Sequence, residues 1–348
     1  MLNLHFMKKI INWGFVGLGN ASLNLAKEFE KLDNSNLLAA ASHDKKKRIL
    51  YKEKFNLENK NIFSDYENVF KHPDIDIVYI GLPNSFHEKY CYMALKYNKN
   101  ILVEKPITKN IKNFKKLKKN FIDKQLLFEE GTAYKFHPFY YQSMKEISNI
   151  DYSNILKIKS SFGNDALGGK KFFGLKLKKI NHEKRLFNKN LDGGSILDGG
   201  IYPVSLLIDL LYLFKKNFIN NFIINSCKKN KSNDVDIESS INISLNKTQI
   251  ELQTSLISNL KNNFQIYTKN EIITLENIFT INEKSALTYE KNPHKNIYNK
   301  NKENIYFYEI YEISNYLINQ KIFQNNYLVD SLTKQEDKIK LLSWWFNY

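Results

Sequence analysis

Residues 11–22, INWGFVGLGNAS, place an apolar run directly before a closely spaced pair of glycines, and this feature most constrains the fold. The run has the length of a buried strand, and the segment after it has apolar residues at helical spacing. Gly17 permits a tight turn, Gly19 lets a ligand phosphate approach the backbone, and a small Ser22 lets a helix pack near the strand. An ordinary glycine turn has the same local pattern, but strand, Gly-x-Gly and helix in this order favour a dinucleotide-binding turn.

A second apolar strand is expected at 36–42, where a residue that recognises the cofactor ribose should follow. The strand ends in Ser42-His43 instead of the acidic residue that would hold a free 2′-hydroxyl. Asp44 and the cationic run 45–48 come next. A hydroxyl, an imidazole and nearby cations suit a 2′-phosphate, so the pattern favours NADP. Asp44 would serve a ribose if its loop turned inward, and NAD stays open.

Three more apolar runs, at 76–83, 100–106 and 125–132, alternate with segments of helical spacing. Alternation of strands and helices at these lengths is typical of an α/β fold with a doubly wound parallel sheet. We therefore expect residues 1–130 to form an N-terminal Rossmann domain.

The formal net charge of +16 raises the possibility of nucleic-acid binding. Only Arg48 and Arg185 are arginines, although base and phosphate recognition favour the planar guanidinium group. The most apolar stretch, 205–214, is shorter than a membrane span and contains Asp209. The sequence therefore predicts neither a nucleic-acid partner nor a membrane partner.

Cys91 and Cys227 are too few for a disulfide framework or a four-cysteine zinc site. We expect no metal site and a cytoplasmic location. The N-terminus has some features of a secretion signal, but Asn12 interrupts its apolar segment, which leads straight into the glycine turn. Met7 is an alternative start, which would make residues 1–6 an extension.

Six segments, in this order, resemble the Gfo/Idh/MocA oxidoreductases, the relatives of glucose–fructose oxidoreductase and inositol dehydrogenase. They are WGFVGLGNAS at 13–22, ASHD at 41–44, LPNSFH at 82–87, VEKP at 103–106, YKFHP at 134–138 and RLFNKNLDGGSILDGGIYPV at 185–204. The resemblance implies a C-terminal α+β domain, here 131–348, with a large, mostly antiparallel open sheet whose outer face commonly forms an oligomer contact. Alternating apolar residues at 239–257 and 264–276 independently predict strands in this region.

The resemblance also implies which residues perform chemistry. Lys105 follows a buried strand and would meet both substrate and nicotinamide, with a Lys–Pro bond that is often cis and with Glu104 orienting it. Tyr202 stands where the inositol dehydrogenase branch has histidine, and Tyr-Pro resembles the glucose–fructose oxidoreductase and dihydrodiol or xylose dehydrogenase branch. There the tyrosine is the proposed acid–base. The structural alternatives are that Lys105 is an ordinary surface lysine and that Tyr202 is an aromatic residue packed at the start of a helix.

We expect the ammonium of Lys105 and the positive charge of the oxidised nicotinamide to lower the pKa of Tyr202. Asp198 would hydrogen-bond the substrate or hold its loop. Lys135 is expected to face the nicotinamide or substrate, and the loop 163–184 to border the pocket.

These arguments predict one cofactor-binding set along the chain. It comprises Gly17, Gly19, Asn20, Ala21, Ser42, His43, Pro83, Asn84, His87, Glu104 and Lys105. A histidine at a helix start is often only a cap or a surface residue, and His87 has that alternative.

The function expected from the resemblance is NAD(P)-dependent hydride transfer to or from a secondary alcohol or carbonyl of a sugar, sugar derivative or cyclic diol. A glycosidase that oxidises its sugar transiently with NAD is one alternative. A non-catalytic NAD(P)-binding regulator is another, although a pure sensor need not keep Lys105 and Tyr202. The expected partners are a small sugar-like substrate and further copies of the chain, bound through the C-terminal sheet.

Overall fold

The computed structural model describes residues 9–167, 171–172, 175–176, 180–214, 221–319 and 327–348. Both candidate start residues lie outside this range. The N-terminal half is built on a six-stranded, all-parallel sheet in the order β3-β2-β1-β4-β5-β6. Its strands are β1 (Ile11–Val16), β2 (Ser35–Ala41), β3 (Ile62–Phe63), β4 (Ile77–Ile80), β5 (Asn100–Glu104) and β6 (Phe128–Gly131). The strand order reverses between β1 and β4, so the doubly wound Rossmann sheet is confirmed.

Helices connect these strands. They are α1 (Asn20–Ala26), α2 (Lys45–Lys54), α3 (Glu67–Lys71), α4 (His87–Lys96) and α5 (Ile111–Asp123). In α5 the side chains of Phe114, Leu117 and Phe121 are buried, while the lysines occupy the remaining faces. The helix is therefore amphipathic, with its lysines solvated around a buried stripe.

The second half contains an eight-stranded open sheet in the order β10-β11-β12-β7-β13-β14-β15-β16. Its strands are β7 (Ile155–Gly163), β10 (Phe222–Ser232), β11 (Val235–Leu245), β12 (Thr248–Ser255), β13 (Leu260–Thr268), β14 (Ile272–Glu276), β15 (Ala286–Tyr289) and β16 (Ile297–Tyr298); β8 (Lys171–Phe172) and β9 (Leu175–Lys176) pair separately. Within the large sheet β12 and β7 run parallel, and the other neighbouring pairs are antiparallel. The expected mostly antiparallel α+β architecture is confirmed.

The second half of the chain also contains the helices α6 (Pro138–Ile147), α7 (Ile201–Leu213), α8 (Ile305–Ile318) and α9 (Tyr327–Asn347). Apolar residues of α7 and of the end of α9 share one core with the alternating apolar residues of the sheet. The stretch Lys189–Leu213 is long and apolar enough to cross a membrane, yet 78% of its most apolar window is buried inside the fold. It is therefore explained as a core helix.

The chain returns to the first core near its end, while the division into 1–130 and 131–348 stays a prediction. Ile310 and Ile313 of α8 belong to the Rossmann core. The indole nitrogen of Trp13 in β1 donates a hydrogen bond of 3.0 Å to the hydroxyl of Ser314. The sequence of α8 does not by itself indicate which of the two cores the helix joins.

Candidate active site

The first glycine turn joins β1 to α1 and leaves open space above it. Gly17 has φ +85°, and a Cβ there would lie 2.6 Å from the carbonyl oxygen of Gly81. The hydroxyl of Ser22 donates to the Gly17 carbonyl at 2.5 Å, which ties the helix to the turn. At Gly19 an added Cβ would meet no described atom within 4 Å. Gly17 is thus required by the bend, whereas Gly19 leaves room for a ligand.

The turn after β2 is held by its own polar groups. The Asp44 carboxylate caps α2 by accepting backbone N–H groups of the first helical turn. Arg48 donates to the carbonyl oxygens of Ser42 at 2.6 Å and His43 at 3.0 Å. The Asp44 carboxylate is thus engaged as a helix cap. The lysines at 45–47 are exposed beside it and are the cations that a 2′-phosphate would meet.

Residues far apart in sequence meet at the end of β5. The Lys105–Pro106 peptide bond is cis, as the resemblance implies. The Lys105 ammonium donates to the backbone oxygen of Asp198 at 2.6 Å and lies 3.1 Å from its carboxylate. The same nitrogen lies 5.0 Å from the ring centre of Tyr202, over the ring face. The three residues predicted to be catalytic are therefore neighbours.

Glu104 has the orienting position expected of it. One carboxylate oxygen accepts a 2.7 Å hydrogen bond from the hydroxyl of Tyr79 in β4. The other accepts the backbone N–H of Lys105 at 3.3 Å. These contacts connect the loop that carries Lys105 to the centre of the parallel sheet.

His87 is buried, and its ring makes two contacts with backbone carbonyls. One nitrogen lies 2.8 Å from the Pro106 oxygen and the other 2.8 Å from the Leu82 oxygen. Burial lowers the pKa of His87. A neutral imidazole donates through only one nitrogen, so His87 makes one of these two hydrogen bonds and lies against the other carbonyl. This geometry suits a residue that holds the neighbouring loops together, and its contact with a cofactor stays a prediction.

A second glycine-rich segment carries Asp198 and leads into α7. A Cβ on Gly193 would lie 2.5 Å and 2.6 Å from two backbone oxygens. Gly194 has φ +126°, and a Cβ on it would collide with the Asp236 carboxylate. Asp236 accepts a 2.7 Å hydrogen bond from the backbone N–H at the start of a π-helical turn, Ile196–Gly200. Close packing thus fixes the turn that presents Asp198.

Asp198 lies between two cations. Arg185 donates to its carboxylate at 2.9 Å, and the same oxygen pairs with Lys105. Burial alone would raise the pKa of Asp198, but Lys105 and Arg185 lower it to about 2. Sequence reasoning did not assign Arg185 to the site, although its rarity as one of two arginines was a signal that could have done so.

The electrostatic prediction for Tyr202 is wrong in direction. Burial, followed by the negative charges of Glu104 and Asp198, raises the pKa of Tyr202 well above its usual value of 10.0. The ammonium of Lys105 is already paired with Asp198, so its positive charge is largely compensated. The phenol is therefore neutral in the protein as described.

The expectation for Lys135 is changed by the structure, and the one for loop 163–184 is not tested. The Lys135 ammonium pairs with the Asp209 carboxylate at 2.7 Å, inside the second domain, and is not directed at the cleft. Part of the loop 163–184 lies outside the described residues, so its place at the pocket stays a prediction. The amide of Asn84, in the loop after β4, donates a hydrogen bond of 2.9 Å to the Asp192 carbonyl. This bond connects the first domain to the second glycine-rich segment.

A cleft of about 190 Å³ lies between the domains, and four predicted residues line it: Ala21, Glu104, Lys105 and Tyr202. It is lined by Ala21, Glu104, Lys105, Gly131, Ala133, Tyr134, Arg185, Tyr202, Phe279, Ile305 and Tyr306. The lining joins the start of α1, the end of β5 and the start of α7. A ligand held above the first glycine turn would therefore reach Lys105 and Tyr202.

A doubly wound sheet with an open Gly-x-Gly turn, closed against a second open sheet, defines the class of two-domain dinucleotide-binding proteins. Residues 11–132 match the GFO_IDH_MocA model, described as an oxidoreductase family with an NAD-binding Rossmann fold. The match covers the first domain, and for this domain the resemblance stated from the sequence is confirmed.

Curated relatives match about half of the chain. A trans-1,2-dihydrobenzene-1,2-diol dehydrogenase of Xenopus tropicalis is 29% identical over 204 residues, covering 56% of this chain and 55% of the relative. A D-xylose 1-dehydrogenase (NADP(+)) of Hypocrea jecorina is 28% identical over 150 residues, covering 43% and 37%. The matched segments thus span little more than half of the first relative and less than half of the second.

Solved structures share the fold over nearly the whole chain. A 3-ketoreductase from Actinomadura kijaniata, in complex with NADP and TDP-benzene, superposes with a TM-score of 0.78 at 18% identity, covering 95% of this chain and 96% of that one. An aldose–aldose oxidoreductase from Caulobacter crescentus has a TM-score of 0.78 at 14% identity, covering 97% and 98%. Both domains therefore have the architecture of these proteins.

Proposed function

We propose that the protein is an NAD(P)-dependent oxidoreductase acting on a secondary alcohol or carbonyl of a sugar, sugar derivative or cyclic diol. One observation carries the proposal: the Lys105 ammonium lies 5.0 Å from the ring centre of Tyr202, in a cleft that Ala21 of the cofactor-binding segment also lines. Names of relatives support the chemistry, since they include dehydrogenases of a cyclic diol and of xylose.

The cofactor would be held mainly by the first domain. The open space above Gly19 accommodates a diphosphate, and the turn from Ser42 to the lysines at 45–47 accommodates the ribose end, with NADP favoured. Pro83, Asn84 and Glu104 would border the nicotinamide. The bound nicotinamide would accept or donate the hydride.

The chain's own residues would manage the substrate and its proton. Lys105, held by Asp198, would donate a hydrogen bond to the reacting oxygen and stabilise negative charge that develops there. Tyr202 would exchange the hydroxyl proton. Arg185, through Asp198, would keep the ammonium aimed into the cleft.

A substrate screen tests the proposal. Sugars, nucleotide sugars, polyols and trans-1,2-dihydrobenzene-1,2-diol would be mixed with the protein and with NADP or NAD in parallel, following the absorbance of reduced cofactor. We expect net reduction of cofactor with at least one of them. Release of a glycoside aglycone without net reduction would support the transient-oxidation glycosidase instead. Cofactor binding without either reaction would support the regulator.

We also propose that the chain forms a homo-oligomer through the outer face of its large sheet. That face carries alternating polar residues, among them Lys157 and Lys159, which pair with Glu251 at 2.9 Å and 3.3 Å. The opposite face packs on α7 and α9. Light scattering coupled to gel filtration tests this, and a monomer at micromolar concentration would reject it. A cytoplasmic location is part of the same proposal, supported by the two free cysteines.

A further inference from the structure

The helix face that presents Tyr202 continues away from the cleft with two polar residues. Tyr202, Ser205 and Asp209 are spaced by three and four residues along α7, so they lie on one face of the helix. Tyr202 lines the cleft, whereas Asp209 lines a second cavity of about 470 Å³ beside α6 and α9. One helix face thus connects two cavities.

Tyr134 stands between these two ends. Its ring centre lies 6.1 Å from that of Tyr202 and 5.6 Å from that of Tyr140. Tyr134 is fully buried and lines the cleft, and Tyr140 lines the second cavity. The Tyr140 hydroxyl donates a 2.8 Å hydrogen bond to the Asp209 carboxylate. Tyrosine rings therefore accompany the helix face from one cavity to the other.

Two hydroxyls in the middle of this row are buried and poorly hydrogen-bonded. Neither the Tyr134 hydroxyl nor that of Ser205 has a partner of ordinary distance and angle among the described residues. Burial and the charge of Asp209 raise the pKa of Tyr134, and a side-chain hydrogen bond with Ser205 acts against this rise, so the two hydroxyls face each other. A poorly satisfied buried hydroxyl is costly, so this pair calls for a functional explanation.

We propose that Tyr134, Ser205 and Asp209 form a proton relay between Tyr202 and the second cavity. The proposal rests on the proposed oxidoreductase function. When the alcohol is oxidised, its C–H bond breaks and the electron pair leaves with the hydrogen as hydride. The hydroxyl proton passes to the Tyr202 oxygen as Tyr202 releases its own proton to Tyr134.

The remaining steps move one proton and no electrons. Tyr134 passes its proton through the Ser205 hydroxyl, directly or over a bridging water, to the Asp209 carboxylate, which releases it into the second cavity. Reduction of a carbonyl runs the same transfers backwards. The relay also explains how a phenol with a raised pKa can serve as the acid–base, because Tyr202 gives up one proton as it gains another and needs no standing phenolate.

Tyr134→Phe and Ser205→Ala test the relay, with Ser143→Ala as the matched control. Ser143 also has a buried hydroxyl without a described partner, but it lies in α6 and lines neither cavity. The substrates are D-xylose and trans-1,2-dihydrobenzene-1,2-diol, with NADP. We expect Tyr134→Phe to lower kcat roughly 10- to 100-fold and Ser205→Ala roughly tenfold, with NADP affinity unchanged. The pH profile and the solvent isotope effect on kcat should both change in Tyr134→Phe and in Ser205→Ala. Both quantities should stay as in the wild type in Ser143→Ala.

The possible outcomes distinguish a failure of the relay from a failure of the proposed oxidoreductase function. Wild-type protein that turns over neither substrate overturns the oxidoreductase proposal for these substrates and the relay with it. Active wild-type protein and a Tyr134→Phe variant with the same kcat, pH profile and isotope effect overturn the relay alone. A variant with lower kcat but an unaltered pH profile and isotope effect indicates packing and also overturns the relay.

Discussion

Two glycine-rich segments precede helices in this chain, and they use their glycines differently. At Gly19, before α1, an added Cβ would meet no described atom within 4 Å. At Gly193, before α7, it would lie 2.5 Å and 2.6 Å from backbone oxygens, and at Gly200 2.9 Å from the ring of Trp345. The first segment keeps space for a ligand, while the second fills its space with protein.

The two segments therefore suit different roles, ligand binding for the first and positioning of side chains for the second. We propose that the open turn binds a diphosphate, because a Cβ added at Gly19 would meet no described atom within 4 Å. The packed turn holds Asp198 and Tyr202 in place, as catalytic geometry requires. Glycine in a sequence therefore marks close approach, and the structure decides whether the approaching group is a ligand or the protein itself. The following substitutions test this contrast.

Tyr202→Phe has the largest expected effect, because the proposed function assigns the proton transfer to Tyr202 at the end of the packed turn. We expect turnover to fall at least roughly 100-fold, with NADP affinity within about twofold, since the ring packing persists and only the proton carrier is lost. Steady-state kinetics and cofactor titration measure both quantities. Tyr90→Phe, at a buried tyrosine of α4 outside the cleft, serves as the control. Unchanged turnover would exclude Tyr202 as the acid–base.

Gly193→Ala should mainly affect stability. Its Cβ would meet the backbone oxygens of Arg185 and Leu186, which cannot move without distorting the loop that pairs with Asp198. We expect the free energy of unfolding to fall by about 2 kcal/mol. Urea unfolding measures this, and a variant as stable as wild type would show that the second segment is looser than described.

Asp198→Asn should reveal the ion pairs of the packed turn through their pH dependence. The folded-state pKa of about 2 lies below the ordinary 3.8, so the stabilisation exists above pH 3.8 and is lost as pH falls toward 2. The wild type should exceed the variant by about 2 kcal/mol at pH 7 and by about half of that at pH 3. Unfolding curves at both pH values measure the gap. A gap that stays constant with pH would contradict the assignment.

Gly19→Ala should have the smallest effect, and one confined to binding. The backbone at Gly19, with φ −87° and ψ −170°, suits alanine, so the free energy of unfolding should change by less than about 0.5 kcal/mol. NADP affinity should fall about tenfold, because the methyl group enters the ligand's space. Calorimetric titration and urea unfolding together test this. A Gly19→Ala variant that is less stable but binds NADP as tightly as the wild type would show that the first segment, too, uses its glycine for packing.

Much of the fold could be predicted from local patterns. The strands of the parallel sheet are continuous apolar runs because both of their faces are covered, as at β1 and β4. In the second sheet, apolar and polar residues alternate along β11 because only one face is covered. These patterns depend on a residue's immediate neighbours, which the sequence displays directly.

The site was only partly predictable. Lys105, Asp198 and Tyr202 could be chosen in advance because each stands in a motif, and the fold brings them together. The partners of Arg185 and Lys135 could not be chosen, since a long cation has many carboxylates within reach of its chain position. Which carboxylate it meets depends on how the two domains pack.

The sequence by itself determined the alternation of strands and helices, the first glycine turn and the residue types available for hydride-transfer chemistry. Each of these follows from short-range periodicity or from steric rules of the backbone. Only the tertiary structure decided that α8 completes the first core, that His87 holds a loop, and that burial raises the pKa of Tyr202. Those outcomes depend on desolvation and on charges brought together from distant segments, and both arise only when the chain has packed.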